Sequence, residues 1–195
     1  MDKLSNGTIG YVHVRGMVDE SYRDTVSEAL GRQVDKKALI VDTRWNPGGD
    51  LHDTLATFLS GKKYLQLVPR GQPLGWDPDR KWYRKSVLIA NEGNYSDGML
   101  FPWLYKHFQI GKVIGMPVNG TGTAVWWEIL QDPALVFGIP EVGFQDEQGH
   151  FMEKTQVDPD IQVMNDPKST GEGRDLQLER AVAELMKEDG TSASR

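Results

Sequence analysis

The sequence predicts an α/β fold, a single domain on a largely parallel sheet, and three observations predict it. Short apolar, β-branched runs alternate along the chain with amphipathic stretches of helical period. Two of those runs, Ala38–Thr43 (ALIVDT) and Ser86–Ala90 (SVLIA), are apolar without a break, as strands covered on both faces are. No internal repeat or low-complexity tract interrupts the alternation, which is the pattern of strands joined by helical crossovers. A chain of 195 residues buries roughly 70% of its unfolded surface, enough for a core of its own.

Taken in order, Thr8–Val14 reads as a strand and Asp19–Val34 as a helix, with Tyr22, Val26, Ala29, Leu30 and Val34 on one face. After ALIVDT, Leu51–Leu59 is a second helix, its Leu51, Leu55, Phe58 and Leu59 in register and Asp50 placed as N-cap. Lys63–Val68 is a strand, and residues 71–84 form one long unstructured insertion, the kind of loop that is a lid, a binding loop or disordered. SVLIA leads into a third helix, Ser96–Phe108, with a stripe of Leu100, Phe101, Leu104 and Phe108, followed by a strand at Lys112–Gly115. The second half is less regular: short strands at Thr123–Ile129, Leu135–Phe137 and Glu141–Gln145, a turn at Glu147–Gly149 and a last helix near Asp175–Lys187. Trp126 and Trp127 fall on opposite strand faces, one expected in the core and the other on a cleft wall. The polar ends, residues 1–7 and 189–195, are expected to be disordered, leaving 8–188 as the folded domain.

Composition removes whole classes of chemistry. With no cysteine there is no disulfide framework, thiolate zinc site or cysteine nucleophile. A balance of 22 basic against 28 acidic residues argues against a nucleic-acid partner, which wants a basic stripe. No apolar run approaches the ~20 residues of a membrane span. There is no P-loop, no H-E-x-x-H and no G-x-S-x-G elbow. Asp50, His52 and Asp53 form a solvated capping cluster rather than a metal site, so no metal or cofactor is expected.

Two junctions each join a buried strand to a helix: Arg44-Trp-Asn-Pro-Gly-Gly-Asp50 and Asn91-Glu-Gly-Asn-Tyr-Ser-Asp-Gly98. If their strands are parallel neighbours, both loops share one edge of the sheet, where ligands of open α/β sheets bind. Gly48 and Gly49 leave backbone N–H groups open beside a helix N-terminus, the requirement for an oxyanion hole. Ser96, at the positive end of its helix, is placed as a nucleophile, and the N–H of Asp97 as a second donor. A serine there is also an ordinary N-cap, and Asn-Pro-Gly-Gly an ordinary turn.

The segment Leu39-Ile-Val-Asp-Thr-Arg-Trp-Asn-Pro-Gly-Gly49 resembles the D-x-R-x-N-x-G-G signature of the tail-specific (carboxyl-terminal processing) serine peptidases, and Asn91–Ser96 resembles their nucleophile segment. Gly111–Gly115, Val157–Ile161 and Asp175–Ala181 are similar to further landmarks, in the same order, so the resemblance spans residues 8–188. Ser-Asp-Gly at 96–98 looks like the tricorn core branch. The resemblance implies a ClpP/crotonase-like layered sheet with flanking helices and proteolysis through an acyl-enzyme on Ser96. The substrate implied is a peptide or unfolded protein, with no nucleic acid and no membrane, and a homo-oligomer is allowed. The other branch of the family pairs its serine with a lysine, and Thr121 stands at that position here. The tricorn-type alternative implies a histidine base oriented by a serine and a glutamate, and Glu153 resembles that glutamate. That histidine belongs to a segment upstream, separated by a PDZ module, so the resemblance implies the carboxyl-terminal half of a larger protease.

A serine hydroxyl is a weak nucleophile until a partner takes its proton. Of the four histidines, His107 lies about 16 Å along the helix from Ser96, at ~1.5 Å rise per residue. His13 is placed mid-strand and His150 beside a turn, so His52 is the one base available if none lies upstream. Two other readings stay open: a catalytically silent peptide-binding or assembly domain, and an acyl-thioester enzyme of the crotonase type. The compartment is not fixed, the resemblance favouring cytoplasm and leaving export open.

Overall fold

A computed structural model describes residues 2–192. Its elements, in order, are α1 (Asp2–Ser5), β1 (Ile9–His13), α2 (Asp19–Leu30), β2 (Ala38–Asp42), α3 (His52–Leu59), β3 (Leu65–Leu67), β4 (Gly75–Asp77), β5 (Lys85–Ala90), α4 (Asp97–His107), β6 (Val113–Gly115), β7 (Thr123–Ile129), β8 (Val136–Gly143), β9 (Ile161–Gln162), α5 (Pro167–Gly171) and α6 (Leu176–Ser192). Strands β1, β2, β5, β6 and β9 pair in that order, every pair parallel, so the expected parallel sheet is present.

The unbroken apolar runs are two-faced, as a pleat requires. Leu39, Val41, Leu88 and Ala90 join Val12 and Val113 in a core closed by α2, α3 and α4. Ala38, Ile40, Val87 and Ile89 join Ile9 and Ile114 on the other face, beneath Ala181, Val182 and Leu185 of α6. Each fully buried side chain of the Val, Leu or Ile kind contributes about 1.5–3 kcal/mol over an exposed one.

Several elements depart from expectation. α2 stops at Leu30, because Gly31 leaves helical geometry, and Val34 lies beyond it, 42% exposed. Residues 71–84 are not structureless: β4 lies within them and pairs antiparallel with β3, in a hairpin apart from the main sheet. The two strands expected at 135–137 and 141–145 are one, β8, which pairs with β7 through a bulge and carries Pro140 within it. Neither Trp126 nor Trp127 is core; they are 57% and 61% exposed, on a hairpin that pairs with no third strand among the described residues. Phe108, expected on the α4 stripe, is 54% exposed just past the helix end. At the amino end, expected to be disordered, α1 forms with Ser5 buried and its carbonyl accepting from the Thr8 N–H at 3.0 Å. The helix α6 runs on through the first residues of the expected disordered tail to Ser192; residues 193–195 lie outside the described part.

Candidate active site

Because β2 and β5 are parallel neighbours in register, the loops that follow them meet at one edge of the sheet. Buried Asn46 ties them together. Its Nδ2 donates to the Val14 carbonyl at 2.9 Å, its Oδ1 accepts from Gly48 N–H at 2.9 Å, and its carbonyl accepts from Tyr95 N–H at 2.9 Å. Asn94 holds the second loop from within: its Oδ1 accepts from Asn91 N–H, and its Nδ2 donates to Thr43 Oγ1 at 3.1 Å and to the Gly98 carbonyl at 2.9 Å. That carbonyl is free for Asn94 because the residue four positions on is Pro102, which has no N–H to bond it. Underneath, the Arg44 guanidinium joins Asp42 at the end of β2 to Asp175 at the start of α6, with Nη1 also 3.0 Å from Gln177 Oε1.

Ser96 sits at the sharp turn into α4 with φ 54° and ψ −125°, a conformation a non-glycine residue holds only under strain. Its hydroxyl makes no capping bond, so Ser96 is not an N-cap serine in the ordinary sense. The G-x-S-x-G pattern is absent, yet the device it encodes, a serine on a strained strand-to-helix turn, is present. Its N–H donates to Thr121 Oγ1 at 2.9 Å, so Thr121, at the position expected for a dyad lysine, touches the serine's backbone instead.

The glycine pair has two different jobs. Gly48 takes φ +96°, and a Cβ there would lie 2.8 Å from Ser96 Cβ and 3.1 Å from Asp97 N. Its own N–H is already given to Asn46. Gly49 takes φ +146° and is laid against Met17, where a Cβ would stand 1.9 Å from the Met17 carbonyl oxygen. Among the described residues, the N–H groups of Gly49 and Asp97 have no acceptor.

Asp50 does not cap α3, and Leu51 at the N-cap has no acceptor to offer. The cap comes from Asp97, whose Oδ2 accepts from Leu51 N–H at 2.6 Å and His52 N–H at 3.0 Å. Its Oδ1 faces His52 Nδ1 in a close hydrogen-bond contact. That bond to Asp97 raises the imidazole pKa above its ordinary value, against a smaller opposing effect of burial. The His52 ring also meets Phe144 edge to face at 6.1 Å.

Ser96, His52, Gly49, Thr121, Leu100 and Phe144 line one cavity of about 340 Å³. Glu153 is not on its wall. It is exposed and one step back, its Oε2 accepting from Thr123 Oγ1 at 2.7 Å, while Thr123 does line the cavity. The other histidines are elsewhere: His107 stacks on Trp103, His150 pairs with Asp146, and His13 ends β1. Among the described residues no side chain hydrogen-bonds the Ser96 hydroxyl, and none form a group fit for a metal ion.

Residues 8–163 match the model of peptidase family S41. The tricorn protease of Thermoplasma acidophilum is 29% identical over 94% of this chain, and a tricorn protease homolog of Saccharolobus solfataricus 32% identical over 94%. The chain spans 17% of the length of each. In three dimensions it is similar to the crystal structure of the tricorn protease, with a TM-score of 0.86 and 28% identity over 96% of this chain and 18% of that one. The photosystem II D1 C-terminal processing protease, 18% identical with a TM-score of 0.57 over 80% of this chain and 42% of its own, shares the fold. With the family model covering most of its length, the chain belongs to peptidase family S41.

Proposed function

We propose that this chain is the catalytic portion of a serine peptidase acting on peptides or unfolded chain ends. The observation that carries the reading is Ser96 on its strained turn, between two amide N–H groups without acceptors. Ser96 Oγ attacks the scissile carbonyl carbon, its proton passes to a base, and the oxyanion is held by Gly49 and Asp97 N–H. Collapse breaks the C–N bond, the base returns the proton to the amine, and water then hydrolyses the ester. Gly48 serves by being small rather than by donating, since its N–H is taken. Glu153 orients the base, which comes from a histidine-bearing segment outside these 195 residues, beyond a PDZ module. The unpartnered Ser96 hydroxyl supports that assignment. His52 is the second reading for the base: it shares the cavity and its Nδ1 is held by Asp97, the arrangement that leaves Nε2 to act.

The test is covalent labelling by a peptidyl phosphonate, read by mass spectrometry on this chain alone and on the chain joined to its upstream segments. One adduct on Ser96, absent from Ser96→Ala, is expected in the longer protein and at least ~10³-fold slower in the shorter one, the scale of losing a triad member. Equal rates in both, lost in His52→Ala, assign the base to His52. No Ser96 adduct in either sinks the enzyme in favour of a silent binding domain.

Self-association belongs to the same proposal. The β7–β8 hairpin exposes Trp127, Phe137 and Ile139, and a lone two-stranded hairpin is marginal in water. Residues 123–150 hold five acidic residues and no lysine or arginine, whereas residues 62–85, around the β3–β4 hairpin with exposed Leu65 and Leu74, hold seven basic and two acidic ones. Two copies related by a twofold axis set each hairpin against its opposite. By sedimentation, Glu128→Lys/Glu141→Lys weakens the dimer about tenfold, at up to ~1 kcal/mol per exposed charge. Mixing it with Lys62→Glu/Arg70→Glu restores association. A wild-type monomer, or a dimer indifferent to these changes, removes the proposal.

A further inference from the structure

We infer that the side chain of Asp97 is a positioning residue that sets the spacing of the oxyanion hole, an inference that rests on the reading of Ser96 as nucleophile. The two open amides belong to different loops. Gly49 N–H comes from the β2–α3 loop and Asp97 N–H from the first turn of α4, and the sheet alone fixes only where those loops begin. Met17 brackets Gly49 on one side, its N–H donating to the Gly48 carbonyl and its carbonyl accepting from Asp50 N–H. What ties the end of that loop across to α4 is one carboxylate, 3% exposed, that leaves α4 and closes on the first turn of α3. Its Oδ2 takes the N–H groups of Leu51 and His52, two and three residues past Gly49, at 2.6 and 3.0 Å.

Three features make this a staple rather than an incidental contact. The start of α3 has no acceptor of its own, so its first amides would be stranded in a buried place without Asp97. A buried carboxylate is tolerated only when its lone pairs are met, and here two amides and the His52 ring meet them. The tie also holds α3 and α4 so close that Gly48 must be glycine, its missing Cβ being 3.1 Å from Asp97 N. With both oxygens occupied, the carboxylate neither touches the substrate nor takes a proton from Ser96. It acts through the distance between two N–H groups.

The experiment compares wild type, Asp97→Ala and Asp97→Asn by ¹⁵N–¹H spectroscopy of this chain and, in the chain joined to its upstream segments, by affinity for a peptidyl boronic acid, whose tetrahedral adduct on Ser96 places an oxygen in the hole. Asparagine keeps an oxygen for Leu51 and His52, whereas alanine keeps nothing. The Gly49 amide resonance is expected to move in Asp97→Ala and to return close to its wild-type position in Asp97→Asn. Boronate affinity is expected to fall about 10²-fold in the alanine variant, the scale of losing one oxyanion donor, and to recover to within about tenfold in the asparagine variant. Affinity for the same peptide without the boron should change less than about threefold. A Gly49 resonance unmoved in Asp97→Ala overturns the inference, as does a folded asparagine variant as defective as alanine. If alanine does not fold, a wild-type Gly49 resonance in Asp97→Asn supports it and a displaced one overturns it. Should wild type joined to its upstream segments form no boronate adduct, the serine-peptidase reading fails, and the Gly49 resonance still decides the staple.

Discussion

Gly49→Ala is expected to unfold the site with a single methyl group. The added Cβ would stand 1.9 Å from the Met17 carbonyl oxygen and 2.5 Å from its carbon, and that carbonyl accepts from Asp50 N–H at 2.8 Å. Both sides of the clash are backbone, so no rotamer relieves it. The φ of +146° adds a conformation that L side chains rarely adopt. Urea unfolding should show a loss of at least about 4 kcal/mol, in the range reserved for strained or overpacked buried positions. Phosphonate labelling of Ser96 should vanish with it. Gly48→Ala is the informative contrast. Its Cβ would press on Ser96 Cβ and the Tyr95 carbonyl, both 2.8 Å away, rather than on the β1 side of the loop. It should cost less stability and still silence the serine. Gly49→Ala with wild-type stability would show that the Met17 contact is not rigid.

Arg44→Ala is the second large effect, and it is one of stability. Arg44 is 16% exposed and Asp42 only 2%, so removing the guanidinium leaves a buried carboxylate with the Tyr11 hydroxyl and the residue 44 N–H but no charge partner. Breaking one partner of such a pair costs about 3–5 kcal/mol. For a domain of this size that lowers Tm by roughly 10 °C or more, measurable by calorimetry. Arg44→Lys should recover only part, because one ammonium cannot serve Asp42, Asp175 and Gln177 in the planes the guanidinium reaches. An Arg44→Ala variant within 1 °C of wild type would mean that the donors Asp42 already has, Tyr11 Oη at 2.8 Å and the residue 44 N–H at 3.0 Å, suffice for it.

What the sequence made legible was local and periodic. ALIVDT and SVLIA declared buried strands because both of their faces are apolar, and the strand-to-helix loops followed from where those runs end. Gly48, Gly49, Ser96 and Asp97 were found together for the same reason: parallel neighbours deliver their following loops to one edge. Illegible were bonds between residues far apart in the chain. Asp50 looked like the α3 cap because it is adjacent, but the acceptor arrives from Asp97, 46 residues from Leu51. The role of Thr121 toward Ser96 spans 25 residues and leaves no local pattern. Trp126 and Trp127 misled in the opposite sense. Alternation says which face a side chain takes, not whether anything covers that face.

The strands of the main sheet lie side by side in the order in which the chain makes them. Each crossover therefore steps the same way, and right-handed crossovers that never reverse direction deposit their helices on one side. The layer of α2, α3 and α4 is thus a product of winding, while the opposite side receives no helix from any of the first three crossovers. Ile9, Ala38, Ile40, Val87, Ile89 and Ile114 wait there until α6, which follows all of those strands in the chain, closes over them. A nascent chain carries a completed nucleophile loop and a bare apolar face at the same time. Arg44, reaching from the loop that bears the glycine pair to Asp175 at the head of α6, makes the site's own scaffold the last thing to be secured.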